Sequence, residues 1–252
     1  MAIIYQRCPK CGHQPLPAEQ AFPCACPGCG VIFAKIGQPV ARSARAHQLT
    51  EESRGRWYHL LLRTPARVDL TGFWARALLL AAIALWTVAL ARMDYRSGEI
   101  GASFLHRPLL IFHEAGHVVF MPFGEWLMML GGTLGQLLMP LLLALALLLK
   151  NRDPFGAAIG IWFLGVSLLD VAPYMYDALQ PQLTLLGGGT GEDGPHDWIY
   201  LFRSLGWLAQ SHAIGAMTHS LGALVCIAAI GWAARLLHLQ YRRLSGDVRH
   251  ED

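Results

Sequence analysis

The chain has 252 residues, 54% of them hydrophobic and 15% charged, with a formal net charge of +3 and a mean hydropathy of +0.37. Soluble domains carry about a quarter charged residues, so this composition excludes an ordinary soluble enzyme and indicates a polytopic membrane protein with a small polar part. The mild positive charge sits largely on arginines flanking apolar segments, which fits a topology signal and argues against nucleic-acid binding.

Residues 1–36 read as a separate unit. Cys8-Pro9-Lys10-Cys11-Gly12 and Cys26-Pro27-Gly28-Cys29-Gly30 are two C-P-x-C-G knuckles. In each, the two-residue spacer and the following glycine let a tight turn point both sulfurs inward. This resembles a zinc ribbon, with Cys8, Cys11, Cys26 and Cys29 as ligands of a structural zinc that would supply the folding energy of so short a stretch. Cys24 reads as a spare thiol. A disulfide framework is the alternative, and it would need an oxidising compartment. The first thirty residues lack the apolar core of a signal peptide, so a retained, cytoplasmic N-terminus is expected. Such a ribbon could present substrates or read a cytoplasmic protein partner.

Residues 37–72 form a basic linker with Arg42, Arg45, Arg54, Arg56, Arg63 and Arg67, placed to orient the first span. The expected membrane domain covers residues 73–239, and a basic tail covers 240–252. The first span is expected near Phe73 to Ala91, with Trp74 at one edge and Arg76 able to snorkel.

After a polar loop comes His113-Glu114-Ala115-Gly116-His117 within an apolar run. Ionisable groups at membrane depth imply a function. Positions i and i+4 share a helical face, so His113 and His117 can present two imidazole nitrogens to one metal ion, while Glu114, about 100° round, can hold a water beside it. The stretch H-E-x-G-H in a membrane helix resembles the signature of the site-2 protease family of intramembrane zinc metalloproteases. The similarity is confined to about residues 104–180. It implies zinc on His113 and His117, with Glu114 activating the attacking water.

The stretch Gly131-Gly132-Thr133-Leu134-Gly135-Gln136 then interrupts an uncharged run from Trp126 to Leu149. Its glycines fit either close helix packing or a break in the helix, and the resemblance favours the break. Pro154 starts the next span, which carries Asp170 and Asp177. A catalytic zinc usually has three protein ligands, so one of these is expected to complete the site. The resemblance implies an aspartate in a leucine-aspartate-glycine motif, but Leu169-Asp170 is followed by Val171. Asp177 is favoured because it lies nearer a helix end with Tyr174 one turn away, and Asp170 and His196 remain the alternatives. Asp197, next to His196, reads as a helix cap or an outer partner.

Residues 197–208 form an amphipathic stretch suited to the interface, and the last span runs from about Ala213 to Ala234 with His219 inside it and His212 just ahead. Those two histidines share a face and could relay protons, bind metal or bond to neighbouring helices.

The expected fold is therefore an all-α bundle of about five membrane helices with an N-terminal zinc ribbon, in the cell membrane. Five crossings from a cytoplasmic N-terminus would leave the basic tail outside, against the positive-inside tendency, unless the motif helix is partly re-entrant or residues 197–209 add a crossing. The expected activity is hydrolysis of peptide bonds in membrane-protein substrates, with one catalytic and one structural zinc. The rival readings are a non-enzymatic membrane scaffold with a ribbon interaction module and a histidine-box lipid desaturase or hydroxylase. The latter lacks its H-x-x-H-H boxes here.

Overall fold

A computed structural model of the chain describes residues 5–16, 24–33, 36, 55, 57–65 and 68–247. It divides into two units, Met1–Trp57 and Tyr58–Asp252. Of the expected linker and tail, Arg42, Arg45, Arg54, Arg56, Arg67 and Arg249 lie outside the described residues.

The first unit is two copies of one local device. Gly12 N–H donates to Cys8 O at 2.9 Å and Gly30 N–H to Cys26 O at 2.8 Å, closing each knuckle. Gly12 and Gly30 take φ of 74° and 70°, a left-handed backbone that glycine adopts without strain. Around them Cys8, Cys26 and Phe33 form a small core. Among the described residues the only β pairing is a single bridge between Ala25 and Ile32.

The second unit is helical: α1 (Leu70–Arg92), α2 (His106–Phe120), α3 (Glu125–Leu149), α4 (Pro154–Asp177), α5 (Asp197–Leu205) and α6 (Ser211–Asp247). Local chemistry sets the starts. Asp69 accepts from Gly72 N–H at the head of α1, and Asp153 accepts from Gly156 N–H at the head of α4, where Pro154 occupies the first turn. Pro140 and Pro173 sit inside α3 and α4 without ending them.

Four helical stretches, Leu70–Arg92, Glu125–Leu149, Pro154–Asp177 and Leu208–Gly246, are long and apolar enough to cross a membrane. The expected fifth, α2, has 15 residues. At 1.5 Å per residue it spans only ~22 Å, short of the ~30 Å hydrocarbon core. Four candidate spans are thus found where five were expected, and α2 is not among them.

Packing fixes the order of the ends. Phe73 of α1, Phe155 and Ala158 of α4, and Ala233, Leu236 and Leu237 of α6 form one core cluster, and Arg76 donates to Gln240 at 3.3 Å. The starts of α1 and α4 thus lie with the end of α6. The chain returns to the bundle interior after α1 because Ile100 and Leu105 are buried in one cluster with Leu90, Leu109, Trp162, Val166 and Leu169. The α2 helix begins beside Asp170 and runs towards the end of the bundle where α4 finishes. The α3 helix runs back antiparallel to it, with Phe112 and Gly116 against Gly135, Gly131 and Gly132. Of the two readings open for Gly131–Gly135, a break in the helix or close packing, the break does not occur. The helix is continuous there, and the glycines allow α2 and α3 to touch backbone to backbone. The α5 helix does not cross; it packs Trp198, Ile199, Leu201 and Phe202 against Val171 and Met175 of α4. Leu78, Leu85, Ile111, Val118, Leu142 and Leu224 remain exposed on the outside of the bundle, a surface suited to lipid.

Candidate metal centres

Two groups of side chains could each hold a metal ion: Cys8, Cys11, Cys26 and Cys29 in the first unit, and His113, His117 and Asp197 in the second. In the first, the Sγ atoms of Cys8 and Cys29 are 3.8 Å apart and those of Cys11 and Cys26 3.7 Å. A tetrahedron with Zn–S bonds near 2.3 Å has an edge of ~3.8 Å, so the spacing fits a four-thiolate site. Burial raises the Cys8 thiol, but the Cys11 and Lys10 backbone N–H groups and the neighbouring thiols outweigh it and bring it to about 6. For Cys11, the His13 backbone N–H acts downwards but is outweighed, chiefly by the Cys29 thiol, and the group is pushed up to about 12. Four thiols this close could hold a cation, which would bind them as thiolates. Cys24 stands apart from the group.

The second group is assembled across the fold. Helical spacing on α2 puts His113 and His117 on one face, and their Nε2 atoms lie 3.0 and 3.2 Å from the same oxygen, Asp197 Oδ2. Ligand bonds near 2.1 Å give a tetrahedral edge of ~3.4 Å, close to both distances. Gly132 of α3 lies against the pair: a Cβ there would sit 2.5 Å from His113 Nε2 and 2.6 Å from His117 Nε2. Only a residue without a side chain leaves the space in front of both rings open.

The other ring nitrogens decide the tautomers. His117 Nδ1 is 2.8 Å from Met128 O, a carbonyl that can only accept, so Nδ1 carries the hydrogen. His113 Nδ1 faces Gln136 Oε1 at 3.2 Å, while Gln136 Nε2 donates to Asp170 Oδ2 at 2.8 Å. Because a carboxylate only accepts, the Gln136 amide is held with its oxygen towards His113, and His113 Nδ1 is again the donor. Both Nε2 atoms of the neutral rings then bear lone pairs aimed at an anionic oxygen. That arrangement is repulsive unless a cation lies among the three groups or both rings are protonated. Burial works against ionisation of the Asp197 carboxyl, yet the His113 and His117 imidazoles outweigh it and hold it below the usual carboxylate range. The donor set and its outer partners fit a zinc-type ion.

Neither Asp177, favoured from sequence, nor its alternative Asp170 joins the His113–His117 group, which Asp197 completes instead. Asp177 Oδ1 accepts from the backbone N–H groups of Gln182 and Leu183, and its Oδ2 lies 3.4 Å from His196 Nε2. It secures the loop after α4. Asp170 is bound to His106 Nδ1 at 2.9 Å and to Gln136, so it acts through Gln136 on His113. His196 also stands outside that group: its Nδ1 accepts from Ile199 N–H as the N-cap of α5 and its ring packs on Tyr174 at 4.2 Å. With His196 as the cap, Asp197 is released from that role and turns towards α2. Tyr174 fixes it there, its hydroxyl accepting from Asp197 N–H at 3.0 Å. His212 and His219 lie on neither centre; they stack on Tyr176 at 4.0 Å and on Tyr95 at 4.6 Å.

Glu114 is exposed on α2 and lines a cavity of about 820 Å³ together with His113, His117 and Asp197. His106, Gln136, Asp170 and residues of the loop from Leu183 to Pro195 also line it. The sequence signals Asp197 only as an acid at a helix start, and Gln136 only as the polar residue ending a glycine stretch. No periodicity links either to His113.

No protein-family model, curated protein or solved structure matches this chain. The functional reading therefore rests on the chemistry of the two centres.

Proposed function

We propose that the chain is an intramembrane zinc metalloprotease that hydrolyses peptide bonds of membrane proteins, with a thiolate-bound structural zinc in its N-terminal unit. The observation that carries this reading is the convergence of two Nε2 atoms and one carboxylate, with Glu114 lining the same cavity.

His113, His117 and Asp197 would hold the ion, which supplies an acidified water and polarisation of the scissile carbonyl when bound. The chain's own groups do the rest. Glu114 is not engaged in the ligand set and faces the cavity, so its carboxylate takes the proton of the attacking water and returns it to the leaving amine. Gln136 and Met128 O hold the two imidazoles in the ligating tautomer. Asp170, itself held by His106, keeps Gln136 from flipping. Among the described residues no further group of histidines gathers around a second ion in the bundle, which counts against a histidine-box lipid oxygenase.

The test is Glu114→Gln in purified protein with a membrane-protein reporter. Cleavage should fall by about 10²-fold or more, the usual worth of a general base, while metal content is unchanged. Unaltered cleavage would remove the protease reading and favour a scaffold that uses its N-terminal unit to bind partners.

A further inference from the structure

The two ends of the helical unit differ in charge, and the metal centre belongs to one of them. At the end formed by the starts of α1 and α4 and the finish of α6 lie Arg63, Lys150, Arg152, Arg242 and Arg243, and the sequence places Arg54, Arg56 and Arg67 just ahead of α1. Arg243 donates to Thr64 O and Pro65 O, which ties the segment before α1 to that end. The opposite end carries Arg92, Arg96 and Arg203 among Asp94, Glu99, Glu125, Glu192 and Asp193. Lysine and arginine close to span ends stay on the cytoplasmic side, so the first end is cytoplasmic. The five free thiols of the first unit, which precede α1 in sequence, suit the same reducing compartment.

Four crossings from a cytoplasmic start also return the basic end of α6 to the cytoplasm, removing the conflict that five would create. The metal centre then has a definite side. Asp170, beside which α2 begins, is seven residues short of the end of α4, so the cavity floor lies ~10 Å below the non-cytoplasmic end. From there α2 runs outwards past His113 and His117, and Asp197 begins the short helix α5 directly after the loop that lines the cavity.

We propose that this cavity opens on the non-cytoplasmic face and takes polypeptide segments at the non-cytoplasmic end of a membrane anchor. The substrate class rests on the protease reading; the side does not. A peptide bond in mid-membrane is locked in helix hydrogen bonds, and breaking these in lipid is costly. In the last turn of a helix the carbonyl groups lack intrahelical partners and the chain frays, so a bond at the depth of His113 can be presented extended and wet.

The experiment introduces one thiol at a time into the full chain, with the parent protein giving the baseline of its native cysteines. Leu186→Cys and Glu192→Cys lie on exposed positions of the loop, and Lys150→Cys lies on the exposed turn between α3 and α4. A membrane-impermeant maleimide applied to intact cells should label both loop variants as fully as after lysis and leave Lys150→Cys unlabelled until lysis. The reverse pattern overturns the assignment of side, and the two loop positions guard against one variant that fails to fold. In parallel, two single-span reporters carry the same cleavable segment at the non-cytoplasmic or the cytoplasmic end of the anchor. Glu114-dependent cutting of the former alone supports the substrate class, and cutting of the latter alone overturns it. Labelling as expected with neither reporter cut removes the protease reading and its substrate class while the side stands.

Discussion

The two candidate metal centres reach similar donor spacing by opposite means. The four thiols come from two short turns, Cys8–Gly12 and Cys26–Gly30, each shaped by its own backbone bond and a left-handed glycine. The imidazole pair is equally local, but its third partner, Asp197, stands 84 positions beyond His113, and its orienting amide, Gln136, stands 23 beyond. A site of the first kind is folded by its ion. A site of the second kind is held by helix packing before any ion arrives, as the Nδ1 contacts and the Gly132 gap indicate.

That contrast can be broken most forcefully by removing ligands. Metal analysis should find two ions per chain, one of which is lost when His113 and His117 are both changed to Ala, with the helical circular dichroism retained. Cys8→Ser with Cys26→Ser should remove the other ion and unfold the first unit, as a metal-dependent fold requires. Loss of both ions in either variant would show that the centres are not independent.

A smaller effect separates the acids. Asp197→Asn should weaken metal binding in the helical unit by more than the ~10 to 100-fold typical of an outer partner, measured by competition with a chromogenic chelator. Asp177→Ala should leave that affinity unchanged and instead speed proteolytic nicking between Leu183 and Pro195, because it releases the Gln182 and Leu183 N–H groups. The opposite ranking would restore Asp177 as the ligand.

Below that lies the relay. Gln136→Leu preserves bulk but removes the acceptor for His113 Nδ1, and a loss of ~10 to 100-fold in metal affinity is expected. Asp170→Asn should cost less, since it weakens the hold on Gln136 and touches no ligand. The mildest tests concern packing. Gly132→Ala should displace both imidazoles and lower metal occupancy at unchanged helix content. Gly116→Ala, whose Cβ would meet Gly131 O, should instead lower thermal stability by ~1 to 3 kcal/mol through parting α2 from α3.

Composition and short-range pattern were sufficient for the helical class, the position of the crossing helices, the thiol knuckles and the imidazole pair on α2. Each of these depends on spacing within a few residues: an apolar run long enough for a bilayer, a two-residue gap between cysteines, or a turn of helix between histidines. Tertiary structure decided what depends on two remote segments meeting. It brought Asp197 to the imidazole pair because His196 takes the cap of α5 and Tyr174 positions the next N–H. It gave Asp170 to Gln136, and Asp177 to the loop beyond α4. It kept α3 unbroken, since its glycines are used for contact with α2, and it left α2 too short to cross. A hydropathy run shows that a segment is apolar and where its charges lie; which faces close upon each other is set by packing that no local pattern contains.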